Sequence, residues 1–416
     1  MKLLLLSLFF SLSSFAQSDS FYLLKPARVF DGEEMHTDWV VLVKGAKIEA
    51  AGPMRFKLPS NTRLIELPNC TLLPGLIEGH AHLFLHPYNE TSWNDQVLRE
   101  SRAERTARAV AHARATLQAG FTTVRDLGTE GAAYDDAGLK KAIEKGIVPG
   151  PRLIIATRAI VARGAYGPSY GNADLELPQG AAEVSGIDEM EREVRIQVSK
   201  GADLIKVYAD YSAGPGGKAV ATLSEEEIRA AVRVAGSLGR PVVAHATTDE
   251  GMQRATRAGV STIEHGDNGS YETFVLMRVK GVALCPTLAA PHAMSQYAGW
   301  EKNTTPEPMK VQQKRRSFSE ALRAGVSICM GGDVGVFAHG DNVRELELMT
   351  AYGMKPLAAL RSATSVNAAV FGWEDRIGRI KPAMLADLLA VEGDPSIDIS
   401  MLRKVRLVVK NGVIQQ

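Results

Sequence analysis

The sequence predicts an α/β protein: a (β/α)8, TIM-like barrel with a small β-sandwich domain built from both termini. Three observations predict it. The ends of the chain are strand-rich. The middle repeats a unit in which a helical stretch ends at a glycine and an apolar strand follows at once. Such units force parallel strands, and about eight in succession point to a closed barrel. Finally, histidine, lysine and aspartate residues stand at or just past the ends of several of those strands, where a barrel gathers its reactive groups.

The first element is a targeting segment. Lys2 precedes a short apolar run, and small residues lead to Ala16. This pattern reads as a secretory signal peptide over residues 1–16, cut after Ala16, so a periplasmic or secreted protein is expected. The run is short for a membrane span, and no other stretch is long and apolar enough to cross a bilayer. Three cysteines, Cys70, Cys285 and Cys329, all in apolar strand-like contexts, make no disulfide framework and read as buried thiols.

Residues 21–73 alternate short strands and tight turns. Val40–Val43 and Lys47–Ala51 read as two strands joined at Lys44-Gly45. Residues 375–416 have the same character, with strands at 386–391 and 405–410 and a hairpin turn at Asn411-Gly412. Together they are expected to make the small β domain, with the barrel over residues 74–374. Barrel strands are expected near Leu76, Val124, Ile154, Ile205, Val243, Ile263, Leu284 and Ile328. One unit is legible in full. Ser224 and Glu227 form a capping box, and Ile228, Ala231, Val232 and Ala235 recur at helical spacing. Gly239 then ends the helix, and Val242–His245 is the next strand. An open doubly wound sheet is the alternative topology.

The chain has 416 residues, 45% hydrophobic and 23% charged, with net charge +1. That balance, with no basic stripe, argues against nucleic acid or a membrane surface as partner. Nothing in it excludes a homo-oligomer.

The chemistry begins at Glu78-Gly79-His80-Ala81-His82. On a strand, residues i and i+2 share a face, so His80 and His82 can hold one metal ion. Downstream stand Lys206, His245, His265 and Asp333, each at a strand end. Singly, each histidine reads as a hydrogen-bonded core residue and Asp333 as a turn residue. Lys206, inside Leu204-Ile205-Lys206-Val207, would bear a large desolvation cost if charged and unpaired. Convergence of all six at one barrel mouth makes coincidence the weaker account.

The motifs Pro-Gly-Leu-Ile-Glu-Gly-His-Ala-His (74–82), Ile-Lys-Val-Tyr (205–208), Ala-His-Ala (244–246), Glu-His-Gly (264–266) and Gly-Gly-Asp (331–333) carry a resemblance. From about Phe21 onward the chain resembles the metal-dependent amidohydrolase superfamily, and within it the Xaa-Pro dipeptidase and imidazolonepropionase-like branch. The resemblance implies two divalent metal ions, with zinc first in expectation. It implies His80, His82 and Asp333 on the first, His245 and His265 on the second, and an N6-carboxylated Lys206 bridging both. It implies attack of metal-activated water on an amide carbonyl, with Asp333 as proton shuttle and hence catalytic residue. The expected activity is that of an exported dipeptidase acting on Xaa-Pro or related dipeptides with a free C-terminal carboxylate. The alternatives are hydrolysis of cyclic amides or N-acyl amino acids and, in a different class, a metal-binding barrel without catalysis.

Tyr208 and Tyr211 are expected to hydrogen-bond a substrate carboxylate. Some relatives place a carbonyl-polarising histidine near position 166, where this chain offers Tyr166, or Arg163 just before it. His339, in the loop after the eighth strand, is a further substrate-contact candidate. The stretch 214–218 lacks the spacing and the hydroxyl residue of a phosphate loop. His36, His86, His112 and His292 have no motif around them and are expected to stand outside catalysis.

Overall fold

The structure, a computed structural model, describes residues 21–415 except 170 and 173. The signal-peptide reading of residues 1–16 lies outside the described residues. Among those described, no helix is long and apolar enough to cross a membrane.

The two ends of the chain make one eight-stranded sheet. Its join is the antiparallel pairing of Arg63–Pro74 with Leu388–Glu392, in register from Leu388 against Pro74 to Glu392 against Cys70. Alternate residues face opposite sides. Leu24, Val41, Val43, Leu388 and Ala390 pack on one face, and Leu23, Val40 and Leu42 on the other. Both predicted hairpins are present. Trp39–Lys44 pairs with Lys47–Pro53, and Val405–Lys410 with Val413–Gln415. In the second turn Asn411 and Gly412 both have positive φ, 49° and 74°, as the tightest hairpin turn demands.

The middle of the chain alternates helix and parallel strand. Leu76–Ala81, Phe121–Asp126 and Arg152–Ile155 form a three-stranded sheet. Six more strands follow in a second sheet, including Ile205–Tyr208, Val242–Ala246, Thr262–His265 and Ala283–Cys285. Every pairing among these nine is parallel. The capping box at Ser224 is formed, with Glu227 N–H donating to Ser224 Oγ and Ser224 N–H to Glu227 Oε2. Gly259, Gly281 and Gly325 end their helices in the left-handed conformation, at φ 95°, 71° and 70°.

The expected single closed ladder is not continuous. The eighth strand, near Ile328, is reduced to two isolated parallel bridges, Leu284 to Ile328 and Ala81 to Val334. The cause is local: the two glycines at 331–332 and a left-handed Asp333 (φ 65°) keep the segment from running straight. The bridges still seat residues 328–334 between the strands Ala283–Cys285 and Leu76–Ala81, which brings Asp333 beside His80 and His82.

Candidate metal centre

Four imidazoles converge at the C-terminal ends of the parallel strands. The ring of His80 lies 5.4 Å from that of His82 and 4.9 Å from that of His265, and His265 lies 4.5 Å from His245. Three of the rings are held through Nδ1. His80 bonds Glu264 Oε2, His82 the carbonyl of Gly128 and His265 Thr287 Oγ1, each at 2.8 Å. Bonding at Nδ1 leaves Nε2 as the free donor atom, the usual support for a metal-binding imidazole. Asp333 Oδ1 lies 3.5 Å from His80 Nε2 and 3.4 Å from His82 Nε2. One donor atom each from His80, His265 and Asp333 falls within 4.8 Å of the others.

Burial sets the protonation states. It holds His80, His245 and His265 well below the usual histidine range, helped by the charge of Lys206 and by neighbouring imidazoles. All three are neutral near pH 7, the form a metal takes. Burial pushes the Asp333 carboxyl up and pulls the Lys206 ammonium down. Among the described residues, the fully buried Lys206 Nζ has no hydrogen-bond partner, and neither has His80 Nε2. Two orphaned polar atoms beside a carboxylate and neutral imidazoles are an arrangement that divalent cations would complete.

Three residues missed in the sequence hold this geometry. Glu78 Oε1 accepts the N–H of His80 (3.0 Å) and of Gly332 (2.9 Å), and its Oε2 accepts Asn342 Nδ2 (2.8 Å). It therefore ties the histidine strand to the Asp333 loop. Glu264, under His80, also accepts Arg125 Nη2 at 2.7 Å. Asn367 Nδ2 donates to the carbonyls of Ile77 and Met330. Glu264 directly precedes His265 and Glu78 lies two residues before His80, and charged residues at buried strand positions were the available signal. Gly331 is needed for close approach. A Cβ there would meet Cys285 Sγ at 2.4 Å and His80 N at 2.7 Å.

A cavity of about 610 Å³ opens beside the centre. His245, His265 and Asp333 form its floor, and Ala290, Pro291 and Met294 one apolar wall. Lys310 also lines it. Tyr166, Tyr208, Tyr211 and His339, the expected substrate contacts, stand outside the lining of this cavity. The hydroxyls of Tyr166 and Tyr208 donate instead to Glu130, a buried carboxylate that also accepts Trp93 Nε1 at 3.0 Å. Tyr211 packs edge-on against Tyr166. Tyr208 stacks on the His245 ring at 4.5 Å, so its observed contact is with a candidate ligand. His339 stacks on His112 at 4.2 Å, and its Nε2 bonds the Leu85 carbonyl. Arg163 pairs with Glu189 and is exposed. Cys70, Cys285 and Cys329 are free buried thiols, as expected.

Residues 71–415 match the model of the amidohydrolase family. The chain is 27% identical over 361 residues to ochratoxinase of Aspergillus niger, covering 81% of this chain and 73% of that protein. Among solved structures it is similar to a Xaa-Pro dipeptidase with methionine bound in its active site. That match has 30% identity and a TM-score of 0.84, and covers 95% of this chain and 100% of the other. A prolidase complexed with N-methylphosphonate-L-proline is similar at 28% identity, with a TM-score of 0.83 and the same coverage. These neighbours share a TIM-like barrel architecture with an added domain. The chain belongs to the amidohydrolase family and is a hydrolase acting on amide bonds.

Proposed function

We propose that this protein is an exported two-metal dipeptidase that cleaves Xaa-Pro or related dipeptides with a free C-terminal carboxylate. One observation supports the reading: an orphaned, buried Lys206 amine lies within electrostatic reach of His80, His245, His265 and Asp333, and the last three of these border a substrate-sized cavity. In this reading His80, His82 and Asp333 hold one zinc ion, and His245 and His265 the other. Burial lowers the Lys206 pKa, and its deprotonated amine would add to carbon dioxide, forming an N–C bond and losing one proton. The resulting carbamate would offer anionic oxygen ligands to the metal site and would remove the desolvation difficulty of a buried cation. Bound ions of this kind lower the pKa of water and polarise a scissile carbonyl. Asp333, within reach of both first-site imidazoles, takes the proton of the attacking water and delivers it to the leaving nitrogen.

The cavity also gives the substrate a direction. Lys314 is engaged by Asp267 and by the carbonyl of His265 (2.8 Å), and Arg125 by Glu264. Lys310 lines the cavity and has no ion-pair partner among the described residues. It is the counter-charge for a substrate carboxylate, and the wall of Ala290, Pro291 and Met294 takes the ring or side chain of the leaving residue. Glu130 makes the tyrosine side the wrong sign for that carboxylate. The terminal sheet, residues 21–73 with 375–416, is read as a domain separate from the barrel of residues 74–374, and residues 1–16 as the export signal.

The test is amine release from a library of dipeptides, N-acyl amino acids and cyclic amides by the zinc-loaded chain. The expected result is turnover of dipeptides with free carboxylates, abolished by chelator and restored by zinc. Turnover confined to N-acyl amino acids or cyclic amides would overturn the dipeptidase reading.

A further inference from the structure

A second cavity, of about 330 Å³, lies at the opposite ends of the parallel strands from the metal centre. The strand Arg152–Ile155, the helix Asp135–Glu144 and the end of the terminal strand Val405–Lys410 wall it in. Its lining holds four cations, Lys140, Arg152, Arg376 and Lys410, against one carboxylate, Glu144. Two of the four are neutralised. Lys140 holds Asp203 at 2.7 Å, and Arg152 donates to Asp387 and Asn411.

The other two form no ion pair among the described residues. Lys410 Nζ donates to a neutral acceptor, the carbonyl of Gly150, at 2.6 Å. Burial, and then the nearby charge of Arg152, pushes its pKa down to about 8, outweighing the opposing pull of Asp387 and Glu144. The Arg376 guanidinium lies over the Trp373 ring at 4.5 Å. That contact holds the guanidinium beside the ring at the cavity wall. Among the described residues neither has a carboxylate within ion-pair distance. The largely buried Lys410 ammonium bears a desolvation cost, and an anion seated between it and Arg376 would offset that cost.

We propose that this cavity is a binding site for a small dianion, a phosphate or a short dicarboxylate, held by Lys410 and Arg376 against Trp373. It stands apart from the proposed substrate cavity, and its ligand class does not depend on the dipeptidase reading. Titration calorimetry of the metal-loaded chain with inorganic phosphate, and separately with succinate, distinguishes the two sources. Sodium chloride at matched ionic strength is the control. The expected result is saturable binding of one of them, weakened by about tenfold or more in both Lys410→Met and Arg376→Gln. Arg376 is exposed, so its variant reports even if the Lys410 variant fails to fold. Absence of saturable binding beyond the chloride control, or binding that both variants retain in full, would overturn the proposal.

Discussion

Asp333 brings one oxygen within 3.5 Å of two imidazole nitrogens from a backbone held at φ 65°. Left-handed backbone at a residue with a side chain is costly and collects at functional sites. If Asp333 moves protons as well as binding metal, Asp333→Asn keeps most of the metal and loses about 10²–10⁴-fold in kcat. Plasma mass spectrometry and steady-state rates on the same sample check this, and near-normal kcat with full metal removes the shuttle role. Lys310→Met should raise KM for a dipeptide with a free carboxylate about tenfold, while leaving its C-terminal amide unaffected. Equal effects on both would show that Lys310 does not read the carboxylate. The six candidate ligands were legible because strand alternation and strand ends are local features. The partners of the tyrosines were not legible because what orients them is not local. Glu130 meets Tyr166 and Tyr208 across 36 and 78 residues of sequence, and no spacing rule foretells where a buried carboxylate will land.

Among the elements, the helix-glycine-strand units were the most legible, since a left-handed helix end marks both where a helix stops and where a strand begins. The eighth strand was over-read for the converse reason. Val326–Met330 has strand composition, yet Gly331, Gly332 and Asp333 turn the chain and leave only two bridges. Gly331→Ala drives a methyl group into Cys285 and the His80 backbone, at a cost of about 1–3 kcal/mol. Thermal unfolding and metal content should fall together, and an unchanged melting temperature would contradict the packing argument. The helix Ala289–Tyr297, which walls the cavity, carries a pH dependence. His292 Nδ1 faces Arg344 Nη2 at 2.8 Å, and burial with the Arg344 charge holds its pKa down to about 4 from 6.5. Between pH 4 and 6.5 the native state therefore binds fewer protons here than the unfolded state. Its contribution to stability is complete above pH 6.5 and is lost as pH falls toward 4, by at most about 1.4 kcal/mol per pH unit. His292→Gln should flatten this part of the stability profile in urea melts, and an unchanged slope would exclude His292 as its source.

At the scale of the molecule, the strand Arg63–Pro74 ties the two halves together. It pairs with Phe21–Phe30 and Leu388–Glu392 in the terminal sheet, and one residue on, Gly75, the chain enters the strand that carries His80. The small sheet therefore fixes where the first barrel strand starts, and Glu78 and Gly331 fix how closely the Asp333 loop approaches it. Both architecture and ligand set rest on contacts between segments that the sequence holds far apart, such as Glu264 under His80 across 184 residues. The centre itself can be tested without any assumption about substrate. Zinc bound per chain, measured after reconstitution with zinc and bicarbonate and removal of free metal, should be two. It should fall in Lys206→Met, whose side chain keeps the volume and cannot form a carbamate. A chain that retains no zinc, or a Lys206→Met variant that retains both ions, would contradict the account.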